Sequence, residues 1–285
     1  MDRILCATDL SSRAELAIDR AVALTRSFDA NLRVLHIVDE DQPGDMVDME
    51  MERARARLNA RIAGFRGAPV RAEAETRAGS VFQSIIEAAR EWESDLIVLG
   101  AHRRRILRDV IVGTTIERVI RTGRLPVLMV NTATFVPYES VLMALDTSEA
   151  SAHALNTAHS LGLLTDVNVT VVHAFEPFYK GMLGWAGVRE EAIDQYTAAW
   201  AEDAGGEIRR FLRERGYNAK SMDIVLEEGP PFHSIKRTVE RLHPHLLVMG
   251  THGRTGVSRA LLGSVAQRSI SEIECDILTV PPSST

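Results

Sequence analysis

The sequence predicts an α/β protein built from two doubly wound units in tandem, and three observations carry that reading. Short apolar runs such as Leu96-Ile97-Val98-Leu99 alternate with amphipathic helical stretches, the pattern of parallel strands covered on both faces. The chain also repeats itself, because Ile4-Leu5-Cys6-Ala7-Thr8-Asp9 aligns with Val141-Leu142-Met143-Ala144-Leu145-Asp146 at an offset of 137. A copy of about 140 residues can enclose its own core, so the repeat is a duplication and not a solenoid. Finally, the apolar run Leu246-Leu247-Val248-Met249 leads into Gly250-x-x-Gly253 and, nine residues later, Gly263-Ser264 at the head of a helical stretch.

Taken in order, the first copy reads as strands near 3–8, 32–38, 70–76, 95–100 and 126–130, with helices near 12–27, 45–65, 80–92 and 113–122. Ser12-x-x-Glu15 has the spacing of a capping box for the first helix. The second copy reads as strands near 140–145, 167–174, 220–226, 245–250 and 276–280, with helices near 149–162, 188–215, 231–241 and 259–272. Gly216 is placed to stop the long helix of that copy. Val34-Leu35-His36 matches Val171-Val172-His173 at the offset of 137, but Gly79, Phe82 and Gly100 match Gly229, Phe232 and Gly250 at 150, so 13 extra residues lie between His173 and Gly229. Pro137 ends one copy and Val141 begins the next, giving domains at 1–133 and 139–285 joined by a short linker that should pack them closely.

Length and composition agree. In 285 residues, 45% of them hydrophobic, there is material for two cores. A net charge of -6 argues against a nucleic-acid surface. The two cysteines, Cys6 and Cys275, make no metal or redox spacing and suggest a reducing compartment. No apolar run approaches the length of about 20 residues needed to span a bilayer, and MDRILCATDL is no secretory leader. The expectation is a cytoplasmic protein with no membrane insertion and no nucleic-acid partner.

The glycine loop carries the chemistry. Glycines directly after a strand allow a tight turn and close approach of a ligand. The amides of Ser264 and Val265 would be unpaired at the helix start, so a phosphate there gains hydrogen bonds, the helix dipole and the Ser264 hydroxyl. The spacing is neither the Rossmann fingerprint nor a Walker loop. The G-x2-G-x9-G-S string after its strand resembles the nucleotide-binding members of the universal stress protein family. That resemblance implies strand order 3-2-1-4-5 in each five-stranded parallel sheet, which puts the ligand crevice between the first and fourth strands. Residue by residue it implies that Asp146 faces the nucleoside, that the backbone of Ala174 reads adenine, that Met249 and Gly250 line the ribose and phosphate side, and that Gly253, Gly263, Ser264 and Val265 cradle the phosphates. The ligand so implied is ATP with Mg2+ in the second domain, in a stress-response sensor or regulatory binding module. Read from its residue type alone, Asp146 is also a candidate cap for the helix after its strand, and the glycine string can be a structural turn without a ligand.

The first copy departs from this pattern. Gly100 and Gly113-Thr114 remain, but Arg103 stands where the second copy has Gly253, followed by Arg104 and Arg105. A side chain there crowds the phosphate path, and any positive φ becomes costly, so no ATP is expected in the first half. The arginines read as a solvated basic loop, or as a site for another anion or an acidic partner. His233, His243, His245 and His252 match no standard metal spacing. With no lysine in the loop and no nucleophile-elbow motif, hydrolysis should be weak at most. The insertion after the second strand of the second copy, with Phe175, Phe178, Tyr179, Met182, Leu183 and Trp185, should cap the adenine, hold a hydrophobic ligand or partner around 175–200, or pack on the other domain. The fifth strands, Val127 to Val130 and Ile277 to Val280, are apolar and last in their copies, and family members commonly pair through them. The two copies are therefore expected to form an internal pseudo-dimer with these strands at the contact, with a homodimer of chains also open.

Overall fold

Strands without a polar face must be covered twice, and a computed structural model shows how this chain does it, describing residues 1–41, 43–65, 69–101, 115–133, 137–253 and 262–283. The first half runs β1 (Arg3–Ala7), α1 (Ser12–Phe28), β2 (Asn31–Val38), α2 (Gly44–Ala63), β3 (Arg71–Ala78), α3 (Val81–Glu91), β4 (Leu96–Gly100), α4 (Thr115–Thr122), β5 (Val127–Val130). The second half continues with β6 (Ser140–Ala144), α5 (Glu149–Ser160), β7 (Asn168–Phe175), α6 (Lys180–Trp185) and α7 (Glu190–Glu214). It closes with β8 (Asp223–Glu228), α8 (Pro231–Leu242), β9 (Leu246–Gly250), α9 (Ser264–Glu272) and β10 (Asp276–Val280).

Among the described residues, the ten strands form one sheet, ordered β3-β2-β1-β4-β5-β10-β9-β6-β7-β8. Each half is parallel throughout and has the order 3-2-1-4-5, and the halves meet where β5 and β10 pair antiparallel. In that joint Leu128 lies opposite Leu278, with Met129 opposite Ile277 and Val127 opposite Thr279. The β5 and β10 side chains here are buried, and Thr279 adds a hydroxyl bond to the Val127 carbonyl at 3.2 Å. Two apolar layers pass through the joint without a break. One joins α1, α2, α5 and α7 to one face of the sheet, and the other joins α3, α4, α8 and α9 to the opposite face. The inter-half surface is thus core, not a wet seam.

A polar knot accompanies that joint. Asp276, fully buried, accepts from Asn131 N at 2.9 Å and from Thr132 N and Oγ1 at 3.1 and 3.0 Å on one oxygen. Its other oxygen accepts from Tyr138 Oη at 2.8 Å and Arg20 Nε at 3.2 Å, and the Arg20 guanidinium lies 4.3 Å from the Tyr138 ring centre. Burial and the neighbouring carboxylate hold the Tyr138 hydroxyl well above its usual pKa. The knot ties α1 and the linker of the first half to the last strand of the second.

Several local expectations shift. The cap of α1 is Ser11, whose hydroxyl accepts from Ala14 N at 3.3 Å; Ser12 is already helical, and Glu15 pairs with Arg61 at 2.6 Å instead of closing a capping box. Strand β8 starts at Asp223 because Asn218 folds the preceding residues into a turn, its side chain accepting from Lys220 N at 3.1 Å. Helix α9 begins at Ser264, after the non-helical Leu262 and Gly263, while residues 259–261 lie outside the described residues. Gly216 does end α7, with φ of 81° just past the Arg215 cap. Both cysteines are buried free thiols, and burial raises both, Cys275 to about 12.

Candidate functional site

In the second half, β6 leads to α5 on one face of the sheet and its neighbour β9 leads to α9 on the other. Their chains part at the carboxyl ends, which opens a crevice. Asp146 stands at that point, two residues beyond β6. Its Oδ1 accepts from Ser148 N at 3.1 Å, Ser148 Oγ at 2.5 Å and Ser151 Oγ at 2.6 Å, and its own amide donates to Ser151 Oγ at 3.0 Å. The cap of α5 is Ser148, which accepts from Ser151 N at 3.2 Å. Asp146 is therefore not the helix cap; two serines fix its carboxylate. The sequence reading missed both, although an aspartate accepting from the amide and hydroxyl of a serine two residues on is a local pattern that Asp146-Thr147-Ser148 advertises.

The site residues converge from four segments. His173 Nδ1 donates to the Leu145 carbonyl at 2.7 Å, so the residues that follow, Ala174 and Asp146, emerge side by side. A β-carbon on Gly253 would lie 2.8 Å from Asp146 Oδ2, so the loop after β9 closes against that carboxylate. Gly253 does not need a positive φ, so the cost expected for a larger residue here comes from collision with Asp146 and not from backbone strain. Gly250 and Gly263 are held equally close, 3.2 Å from the Ala150 carbonyl and 3.0 Å from the Thr251 carbonyl by the same measure. Gly263 N donates to Thr251 O at 2.9 Å and makes no side-chain cap, which leaves the first amides of α9, at Ser264 and Val265, pointing out of the helix start. Ser264 is exposed and Val265 half-buried.

Met249 differs from its expected role: its side chain is 4% exposed and packs in the core beneath the helices, so only its backbone can reach the crevice. The insertion differs too. Phe178 and Trp185 are 80% and 95% exposed, which overturns packing on the other half, while Lys180 anchors α6 to Glu228 at the end of β8 at 2.7 Å. His102, Arg103, Arg104, Arg105, Gly113 and Thr114, the first-half counterparts, lie outside the described residues. Of the histidines, His245 Nδ1 accepts from Glu139 N at 3.2 Å, His233 meets the Phe232 ring edge to face and His243 ends α8. Among the described residues no three His, Cys, Asp or Glu side chains gather as a metal site, and no helix is long and apolar enough to cross a membrane.

Comparison with known proteins gives the family and the fold. The sequence model of the universal stress protein family matches residues 1–131 and again residues 137–281. The chain belongs to the universal stress protein family. Universal stress protein E of Escherichia coli K12 is 29% identical over 210 residues, covering 70% of this chain and 65% of that relative, so the match spans just under two thirds of the relative's length. A universal stress protein of Mycolicibacterium smegmatis is 23% identical across 98% of this chain and 97% of its own. The crystal structure of a universal stress protein from Archaeoglobus fulgidus covers 99% of this chain with a TM-score of 0.71 at 20% identity, a likeness of fold over both halves.

Proposed function

We propose that this universal stress protein binds ATP, as its magnesium complex, in the crevice between β6 and β9, and works as a cytoplasmic stress-response sensor whose nucleotide state sets its shape or partner. The observation that carries this is the closure of Gly253 onto the carboxylate of Asp146, 2.8 Å from a would-be β-carbon, because it joins the acidic residue and the glycine loop, 107 positions apart, into one concave site. Asp146, held by two serines, is positioned to accept from ribose hydroxyls, and the backbone of Ala174 to meet the base edge. Gly250, Gly253 and Gly263 keep the loop slim, and the start of α9 offers amides, dipole and the Ser264 hydroxyl to phosphate oxygens. ATP supplies a polyanion to be held, and Leu246–Ile270 contains no lysine to stabilise a transferring phosphoryl group. Turnover by the purified chain should stay below about one per second, the low end of the enzyme range, and a faster rate lost in Ser264→Ala overturns a binding role.

Two domains, 1–133 and 139–285, are proposed to act as an internal pseudo-dimer. Leu128 and Leu278, equivalent at the offset of 150, oppose each other in the β5–β10 pair, which supports a local two-fold axis there. The deciding experiment for the nucleotide is to denature the purified chain and identify released nucleotide by chromatography, with calorimetric titration of ATP into the stripped protein. No released adenine nucleotide and no binding overturn the proposal. The exposed Phe178, Tyr179, Met182 and Trp185 favour one further reading, a hydrophobic ligand or partner met at α6.

A further inference from the structure

We propose that the seam between the halves contains a second ligand site, for a compact oxyanion of the phosphate class, separate from the crevice. The order β10-β9-β6 gives the segment after β9 two flanks. Gly253 lies on the flank toward β6, against Asp146. On the opposite flank, Thr251 and His252 face Ser283 beyond β10, and Arg121 and Arg124 at the end of α4 close the space from the first half. The cavity measures about 190 Å³, below the roughly 300–1,000 Å³ typical of pockets for drug-sized ligands. It suits a small ion better than a nucleotide.

Its chemistry asks for negative charge. Arg121 and Arg124 make no ion pair among the described residues, and paired guanidiniums are the side chains best matched to phosphate oxygens. Thr251 Oγ1 lies 2.9 Å from His252 Nδ1, within hydrogen-bond distance. The other ring nitrogen, His252 Nε2, is buried without any partner. Buried polar atoms are normally matched, and an unmatched one marks a place where a further polar group can pair. The hydroxyls of Thr122 and Ser283 complete a polar lining, whereas Pro281 and Pro282 offer no amides. One feature opposes an anion: α4 ends here, with Gly123 N donating to the Val119 carbonyl at 2.7 Å, and a helix terminus of this sense carries partial negative charge. The two arginines must outweigh it, so binding should depend on them. Thr251 O also accepts from Gly263 N at 2.9 Å, so the cavity shares a wall with the start of α9.

The inference does not rest on the nucleotide reading, and the two fail separately. The test is calorimetric titration of inorganic phosphate into the stripped full chain, its Arg121→Gln/Arg124→Gln variant, and Gly253→Val, which blocks the crevice with an uncharged side chain. Saturable binding of one phosphate is expected, retained in Gly253→Val and weakened at least about tenfold in the arginine variant. The melting temperature of that variant should not change, because both arginines are exposed. No saturation below about 10 mM, unchanged binding without the arginines, or loss in Gly253→Val would each overturn the seam site, the last by moving the phosphate to the crevice.

Discussion

The two halves share a frame and differ in how they hold one carboxylate. In both, the histidine of the second strand binds the carbonyl beyond the first strand, His36 to Thr8 at 2.8 Å and His173 to Leu145 at 2.7 Å. In both, the residue after the aspartate is left-handed, Leu10 with φ of 60° and Thr147 with φ of 64°. Yet Asp9 is exposed and accepts from Ser11 N alone among the described residues, at 2.9 Å, whereas Asp146 is gripped by Ser148 and Ser151. Ala14 stands where the second half has Ser151, and Ile37 where it has Ala174. Duplication has preserved the backbone, including a conformation costly for side-chain-bearing residues, because both apolar layers depend on it. The polar fittings of the crevice depend on a few side chains and have drifted freely.

That contrast can be broken in four ways, the most disruptive first. Leu278→Glu places a carboxylate in a fully buried position of the β5–β10 joint; a loss of more than about 4 kcal/mol is expected, read by denaturant unfolding, with aggregation through the freed edges. Leu128→Glu should match it, and a mild effect from either would mean the joint is not common core. Asp276→Ala strips Arg20 and Tyr138 of their shared acceptor and should cost about 3–5 kcal/mol in the same assay. The counterparts of Arg20 and Asp276 in the other halves, Thr157 and Pro126, cannot form this pair, so substituting Thr157 by Ala should change little. Gly253→Arg, which gives the second half the first half's residue, should reduce ATP affinity by at least about 100-fold, or about 2.7 kcal/mol, with the melting temperature retained; near-normal affinity in calorimetry would remove the proposed basis of asymmetry. Ser151→Ala, again a conversion toward the first half, should weaken ATP by about three- to tenfold, whereas the reverse change Ala14→Ser should confer no affinity.

Much of the architecture was legible because it is written in local periods. The offsets of 137 and 150 and the apolar runs located every strand, and Gly216 marked the end of α7. Helix α6 escaped because Lys180 to Trp185 spans six residues with two glycines and buries no side chain, so there was no apolar stripe to read. The cap of α1 slipped by one because Ser11 and Ser12 are adjacent and only the backbone decides which is extended. Within the crevice, residue types pointed to Asp146 and the glycines, but the reason for Gly253 is a contact with a residue 107 positions away. The Arg20–Asp276 pair, 256 residues apart, leaves no local trace at all.

That separation matters while the chain is being made. Arg20 leaves the ribosome long before Asp276, and at typical rates of about 5–20 residues per second the intervening 256 residues take roughly 10–50 s. Once Val130 has been added, and for the remainder of that interval, β5 presents an unpaired apolar edge, since the strand that covers it begins only at Asp276. The first half can therefore nucleate early but cannot finish alone. A nascent chain stalled before Asp276 should be a better client for chaperones than either the finished protein or a family member that pairs with a separate, already folded copy.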